Sequence, residues 1–291
     1  MTMLPRARLR TIAAGAAVTL AAGSAAVLGA ASPASASTLN FDCAVPLLGT
    51  QSFPVDITSN APAQLPTGSS TAPDVTSVIT VPSSLADALR GFFGATEFSG
   101  LIHSTTLVDG VAQAVDLVVP TTPAGDPGTA ISMVATGAMA PITAGDPGSV
   151  TTLAAGDQDV VMSLVSAGGT TPLEIPCTPA AGQDTTFSTI TSVKDGSSTA
   201  ATARYVTSKH AVKAAATVTS EHGIVSPTGN VKFVLKRGTH KVASMTKTLS
   251  GGKASATFTS IRKTGAYKVI AKYLGSDRLK ASKDSASFSV R

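Results

Sequence analysis

The chain is 291 residues long, 43% hydrophobic and 4% aromatic, with no Trp and a formal net charge of +5. That length suits about two domains of roughly 100–200 residues each. The hydrophobic fraction argues against a disordered chain, and its reliance on Ala and Val points to many small cores rather than one large one.

At the amino terminus, Arg6, Arg8 and Arg10 precede a run from Ile12 to Ala31 made almost wholly of Ala, Val, Leu and Gly, and Ala34-Ser35-Ala36 completes a small-residue cleavage pattern. This predicts a cleaved signal peptide over residues 1–36. A retained anchor is the alternative, since ~20 apolar residues span a bilayer, but the weakly apolar run and the cleavage pattern behind it favour removal. No later stretch is long and apolar enough to cross a membrane, so a secreted mature chain without a transmembrane segment is expected. Cys43 lacks the small preceding residue of a lipobox. Export places Cys43 and Cys177 where disulfides persist. Their bridge closes a loop of roughly 130 residues, for which chain entropy gives about 4–5 kcal/mol as an upper figure. A reactive thiol or metal pair has less support, because there is no third Cys and no His near either one in sequence.

From Thr38 to about Gly182 the pattern is of strands. Leu39-Asn-Phe41 and Phe53-Pro-Val55-Asp-Ile57 alternate apolar and polar residues, as half-buried strands do. A Pro/Ser/Thr/Gly-rich break runs from Asn60 to Pro73, and a strand over Val75 to Val81 comes after it. Ser83 to Phe93 predicts the one helix, capped by Ser83 or Ser84 and ended by Gly91 and Gly94. Leu85, Leu89 and Phe92 recur at helical spacing, so Phe92 and Phe93 are expected to plug one end of a sandwich. Further strands are predicted over Glu97 to Val108, Val111 to Val119, Thr129 to Ala140, Val160 to Val165 and Leu173 to Ile175, with Asp109-Gly110 as a hairpin turn.

Ala124-Gly-Asp126-Pro-Gly128 recurs as Ala144-Gly-Asp146-Pro-Gly148, and Ala155-Gly-Asp157-Gln-Asp159 lies just beyond. Such carboxylates suggest calcium, but Asp-Pro-Gly is ordinary turn chemistry and the EF-hand ligand order is absent, so no metal site is assigned. Residues 184–199, small and polar, are expected to be a linker whose β pattern at Phe187 to Val193 pairs forward with the C-terminal domain. Composition changes across it. Residues 37–183 carry twelve acidic residues and one Arg, a formal −11, whereas residues 184–291 carry eighteen Lys and Arg against five acids, a formal +13.

In residues 200–291, Val231, Phe233 and Leu235 alternate with Lys232 and Lys236; Ala254, Ala256 and Phe258 with Ser255 and Thr257; and Tyr267, Val269, Ala271 and Tyr273 with Lys268, Ile270, Lys272 and Leu274. The mixed second face of the last suggests a strand partly covered on both sides. With Val212 to Val218 and Ser287 to Val290, about seven strands in ninety residues predict an immunoglobulin-like sandwich. The fold class is therefore all-β, with two β-sandwich-like domains: an acidic one over 37–183 with a single short helix, and a basic one over 200–291.

The order Pro227-Thr-Gly-Asn-Val-Lys-Phe233, Gly252-Lys-Ala-Ser-Ala-Thr-Phe258, Gly265-Ala-Tyr-Lys-Val-Ile-Ala-Lys-Tyr273-Leu-Gly-Ser276 and Ala281-Ser282 resembles the bacterial Ig-like domains (group 3 type) of secreted surface proteins. The Leu39-Asn-Phe-Asp-Cys43, Pro46-Leu-Leu-Gly49 and Val81-Pro-Ser-Ser-Leu-Ala-Asp-Ala-Leu89 segments, with Cys177, resemble a domain of unknown function in exported actinobacterial proteins. The first resemblance implies a surface role, and the second implies no activity.

No G-x-S-x-G elbow, H-E-x-x-H, phosphate loop or C-x-x-C is present, so the chain is expected to be no enzyme and to need no cofactor. His103, His210, His222 and His240 are scattered and are expected to be solvated. Lys232, Lys236, Arg237, Lys241, Lys247, Lys268 and Lys272 fall largely on polar strand positions and suggest a basic, anion-attracting face; a merely solvated surface is the plainer alternative. The expected partner is an anionic envelope polymer, a glycan or another surface protein, including the acidic domain of a second copy. Nucleic acid is not expected, since the chain is exported and aromatic residues are not interleaved with the basic ones. The function expected is that of a non-catalytic, cell-wall-associated or adhesion-type binding protein, retained non-covalently because no L-P-x-T-G-type tail is seen. The alternative is a hydrolase in the first domain using Asp87, Glu97, Asp157 or Asp159.

Overall fold

The computed structural model describes residues 37–291, and the expected signal peptide lies outside the described residues. The first domain opens with β1 (Ser37–Val45), β2 (Gly49–Ser59), β3 (Gln64–Pro66), β4 (Ser70–Thr71) and β5 (Asp74–Val81), and then α1 (Ser83–Phe93). It continues with β6 (Ala95–Val108), β7 (Val111–Pro123), β8 (Ile131–Ala138), β9 (Ile142–Thr143), β10 (Val150–Ser166), β11 (Gly169–Pro179) and β12 (Thr186–Val193). The second domain comprises β13 (Ser197–Val206), β14 (Ala211–Ser220), β15 (Asn230–Arg237), β16 (His240–Thr248), β17 (Lys253–Phe258), β18 (Gly265–Tyr273) and β19 (Ser282–Val290).

The chain is all-β apart from α1, as expected. In the first domain the inner faces belong to one closed sheet: the order β11-β1-β2-β5-β8-β7-β6-β10, with β10 also paired to β11, joins eight antiparallel strands into a barrel. Alternation sets the inside. Leu39, Phe41, Cys43 and Val45 of β1 and Val115, Leu117 and Val119 of β7 are buried, while the residues between them are less buried or exposed. Burying each large aliphatic among them contributes roughly 1.5–3 kcal/mol. Two glycines permit the barrel's tight crossings. A Cβ on Gly137 of β8 would lie 2.1 Å from the Asp116 carbonyl oxygen, and one on Gly100 of β6 would lie 2.4 Å from that of Val161.

β10 makes closure possible by changing partners along its length. Val150–Ala154 pair with β12, and Gln158–Ser166 pair with β11. Between them the register against β6 shifts at Ala155/Gln158, where the exposed Asp157 is the extra residue. This bulge switches the inward set from Leu153 and Ala155 to Gln158, Met162 and Leu164. Ala155-Gly-Asp157-Gln-Asp159 is thus a strand bulge and not a third turn. The Asp126 and Asp146 segments are turns, each aspartate's carbonyl accepting from the N–H and hydroxyl of Thr129 or Ser149.

Residues 186–193 were expected to lie in a linker and pair forward. They form β12 and pair backward with β10 and β3, because Phe187 and Ile190 are buried in the barrel domain's core. Three residues, 194–196, separate β12 from β13. Neither Ser83 nor Ser84 caps α1. The N-cap is Pro82, with no side-chain cap bond, while Gly94 closes the helix in the left-handed conformation as expected.

The second domain packs a β13-β14-β17 sheet against a β16-β15-β18-β19 sheet, in which Ala214, Ala216, Ala254 and Ala256 share a core with Phe233, Tyr267 and Tyr273. The two tyrosine hydroxyls donate to the Lys263 and Thr228 carbonyls. The outer face of β18, expected to be partly covered, is covered only at Ile270, which is half-buried, while Lys268 and Lys272 are exposed.

The domains are joined through Asp195 and Arg278. Asp195, 1% exposed, donates its N–H to the Arg278 carbonyl and accepts at its own carbonyl from the Lys280 N–H. Its carboxylate accepts from Ser220 Oγ (2.6 Å) and His222 Nδ1 (2.6 Å). Arg278 reaches back to the barrel domain, donating to Thr67 Oγ1 from Nε (3.2 Å) and Nη2 (3.1 Å). Burial raises the Asp195 pKa, but the bonds from Ser220, His222 and Gly196 overcome it and hold the carboxyl below its ordinary value.

The bridge between Cys43 and Cys177 joins residues in register across β1 and β11. With a sequence separation of 134 residues between its ends, its reduction, or Cys43→Ser with Cys177→Ser, is expected to cost up to about 5 kcal/mol, measured as a lower denaturant midpoint of the barrel. Because the folded Asp195 carboxyl is depressed, its stabilisation is complete above the unfolded value near pH ~4 and is lost as pH falls through the folded value. Asp195→Asn is expected to lower stability at neutral pH by about 1.5–3 kcal/mol and to flatten the acid limb of the unfolding midpoint against pH.

Candidate functional site

Strand register assembles the lysines of the second domain. β15 and β18 are antiparallel, with Lys232 opposite Lys272 and Lys236 opposite Lys268. Lys272 in turn faces Lys283 on β19, and Lys236 faces Lys241 on β16. The intervening Val231, Phe233, Leu235, Val269, Ala271 and Tyr273 are fully buried, which sends the lysines to the outer face. Two rows result: Lys232–Lys272–Lys283 and Lys241–Lys236–Lys268. They lie four residues apart on β15 and β18, about 13 Å at ~3.3 Å per residue. Val234, Ile270 and Ser285 occupy the positions between them.

Five of the seven expected basic residues therefore share one face. Lys247 is opposite Val231 and Arg237 opposite Tyr267, so both belong to the inward set at the sheet's margins. Arg237 instead joins His240, Arg262 and Lys263 around a depression at the end of the sheet. Lys283 was missed because β19 reads Ser-Lys-Asp-Ser-Ala-Ser and lacks an apolar alternation to mark it. Among the described residues no ion pair involves any of these lysines. Like charges directly opposite destabilise a ladder by roughly 0.2–1 kcal/mol a pair, and an ordinary solvated surface mixes signs.

Of the acidic candidates of the first domain, Asp87 is engaged in local bonds, and Glu97 and Asp159 are far apart. Asp87 holds α1 to the loop after β7, accepting from the Gly128 N–H (2.9 Å) and from Arg90 Nη1 (2.7 Å). The Gly128 bond, helped by Arg90 and opposed by partial desolvation, keeps its carboxyl below the usual range. Glu97 is opposite Val165, and Asp159 opposite His103. Six ladder positions separate them, about 20 Å, beyond the ~5–10 Å that paired carboxylates need. Asp157 lies in the β10 bulge and is exposed.

Three of the four histidines have partners that sequence spacing could not reveal. His103 Nδ1 lies 2.7 Å from Asp116 Oδ1, His222 meets Asp195, and His210 Nδ1 is 3.1 Å from the Tyr205 hydroxyl. His103 and Asp116 stand on the exposed outer wall of the barrel, both more than half exposed.

Family models match both domains: Family of unknown function (DUF6801) over residues 40–188 and Bacterial Ig-like domain (group 3) over residues 197–291. Among solved structures, a Corynebacterium diphtheriae protein described as membrane anchored is 15% identical, covering 88% of this chain at a TM-score of 0.38. The chain spans 58% of that protein's length. The FN1–FN3 domains of chicken CNTN1 are 8% identical, covering 89% of this chain and 96% of their own, at a TM-score of 0.25. No curated protein matches the chain.

The facing lysines make a direct prediction. Lys272→Glu sets an opposite charge between Lys232 and Lys283 and is expected to raise the stability of the second domain by ~0.2–1 kcal/mol. The gain, read from chemical denaturation, should shrink as salt screens it.

Proposed function

Because the chain belongs to the family of unknown function DUF6801 and continues into a bacterial Ig-like domain, we propose that it is a secreted, non-catalytic protein held at the cell envelope by its basic sheet. The Ig-like domain attaches and spaces, and the acidic barrel is presented outward. The observation that carries this reading is the pair of lysine rows, six cations on one sheet face without a carboxylate partner among the described residues. Their mutual repulsion is relieved by an anionic polymer lying across the strands. The chemistry fits a phosphate- or carboxylate-bearing envelope polymer, since ammonium groups recognise such anions as point charges. The charge of the barrel domain disfavours its own approach to the same polymer.

Attachment of this kind weakens with ionic strength as screening shortens the reach of each charge. The purified chain is expected to sediment with isolated cell envelopes at low salt and to be released at high salt. Replacing Lys232, Lys236, Lys268 and Lys272 together by Gln should lower low-salt retention about tenfold or more, whereas Lys247→Gln should leave it nearly unchanged. Retention that survives the fourfold replacement, or no retention at any salt, would remove the claim.

A further inference from the structure

The barrel is not completely filled. Beneath α1 lies a cavity of about 70 Å³ walled by apolar side chains, among them Phe53, Ile79, Leu85, Leu89, Met133 and Leu164. One lining residue is polar, Gln158. It is 4% exposed, and among the described residues its side chain makes no hydrogen bond. The amide opens onto the cavity, where the apolar wall offers it no hydrogen-bonding partner. It is there because the β10 bulge turns it inward, level with Cys177 on β11. Among the β10 residues lining the cavity, namely Gln158, Val160, Met162 and Leu164, it is the deepest. Leu164 lies nearest α1, opposite Phe98 at the start of β6.

The roof is held along one edge. On that side, Arg90 donates to the Ala124 carbonyl (2.8 Å) and the Thr129 carbonyl (2.9 Å), and Asp87 accepts from Gly128. The other side has no such bonds among the described residues. There Ala88, Phe92 and Phe93 face Leu47 and Leu48 of the β1–β2 turn across a groove of about 330 Å³. The expected plug is thus only half realised: Phe93 packs on the core, while Phe92 is 77% exposed and Leu47 81% exposed. Leu47 also holds a left-handed backbone, φ +69°, which is uncommon for a Leu and worth explaining. α1 borders both spaces, Leu85 and Leu89 lining the cavity that holds the amide and Ala88, Phe92 and Phe93 lining the groove.

We propose that the barrel binds one alkyl chain bearing a neutral hydrogen-bonding head, a fatty alcohol being the simplest form. The hydroxyl pairs with the Gln158 amide, the first methylenes fill the cavity, and the tail leaves beneath the free edge of α1 into the Leu47–Phe92 groove. A hydroxyl both donates and accepts, as the amide does. A carboxylate fits poorly, because no cationic side chain lines the cavity to offset its burial. Eight-stranded barrels have room for one small ligand at most, and a longer chain is accommodated as α1 lifts about its Asp87–Arg90 edge.

Calorimetric titration of the purified chain with 1-hexanol, 1-octanol and 1-decanol tests this. The expected result is one saturable site whose affinity rises roughly two- to fourfold per methylene, with decanoate at pH 8 bound at least about tenfold more weakly than 1-decanol. Gln158→Leu removes an unpartnered polar group, so the fold is retained; it should weaken 1-decanol about five- to tenfold. Leu47→Ser with Phe92→Ser, both at exposed positions, should weaken 1-decanol and spare 1-hexanol. No saturable site, no dependence on chain length, or an unchanged 1-decanol affinity in Gln158→Leu overturns the proposal.

Discussion

The first domain depends on a seam. β11 pairs with β10 on one side and β1 on the other, and without it the sheet would end in two exposed edges. Yet β11 is poor in apolar side chains: of its eleven residues Cys177 alone is fully buried, with Leu173 and Ile175 packed partly against the core. Hydrophobic burial is weakest where closure is decided. The disulfide sits at that place, in register between the two strands it must keep together. A covalent tie substitutes there for side-chain area, as domains with lean cores commonly arrange.

The same leanness runs through the molecule. The second domain has no Trp and no Cys, and builds its core by setting alanines of β14 and β17 against Phe233, Tyr267 and Tyr273. Large against small fills the space between two sheets without heavy side chains on both. Buried polar groups then fix orientation. Both tyrosine hydroxyls find carbonyls, and Asp195 gathers four donors where the domains meet.

Where one face of a strand is buried and the other wet, alternation shows in the sequence. This is so in β1, β15, β17, β18 and the Asp109-Gly110 hairpin, whose residues take φ +51° and +80°. Legibility is lost where another constraint overrides the period. β12 is rich in Thr and Ser and sits between Gly-rich segments, so its membership of the barrel domain is visible only through Phe187 and Ile190 in three dimensions. β10 reads as a short strand because the bulge shifts its parity midway, and Gln158, the residue that shift turns inward, carries no signal of its own. The basic residues are legible as a set but not as a pattern. Cross-strand register gathers Lys232, Lys236, Lys241, Lys268 and Lys272, adds Lys283 and sets Lys247 and Arg237 aside.

The short passage from Val193 to Ser197 has a consequence for how the protein moves. With Asp195 tied on the far side and Arg278 reaching back to Thr67, the domains are linked by side-chain and backbone hydrogen bonds as well as by the chain. Their formal charges, −12 over residues 37–193 and +14 over residues 197–291, are therefore carried on one compact body. Near a negatively charged wall, such a body experiences a torque as well as a pull. The field of such a wall draws the basic Ig-like end toward it and turns the acidic barrel end away.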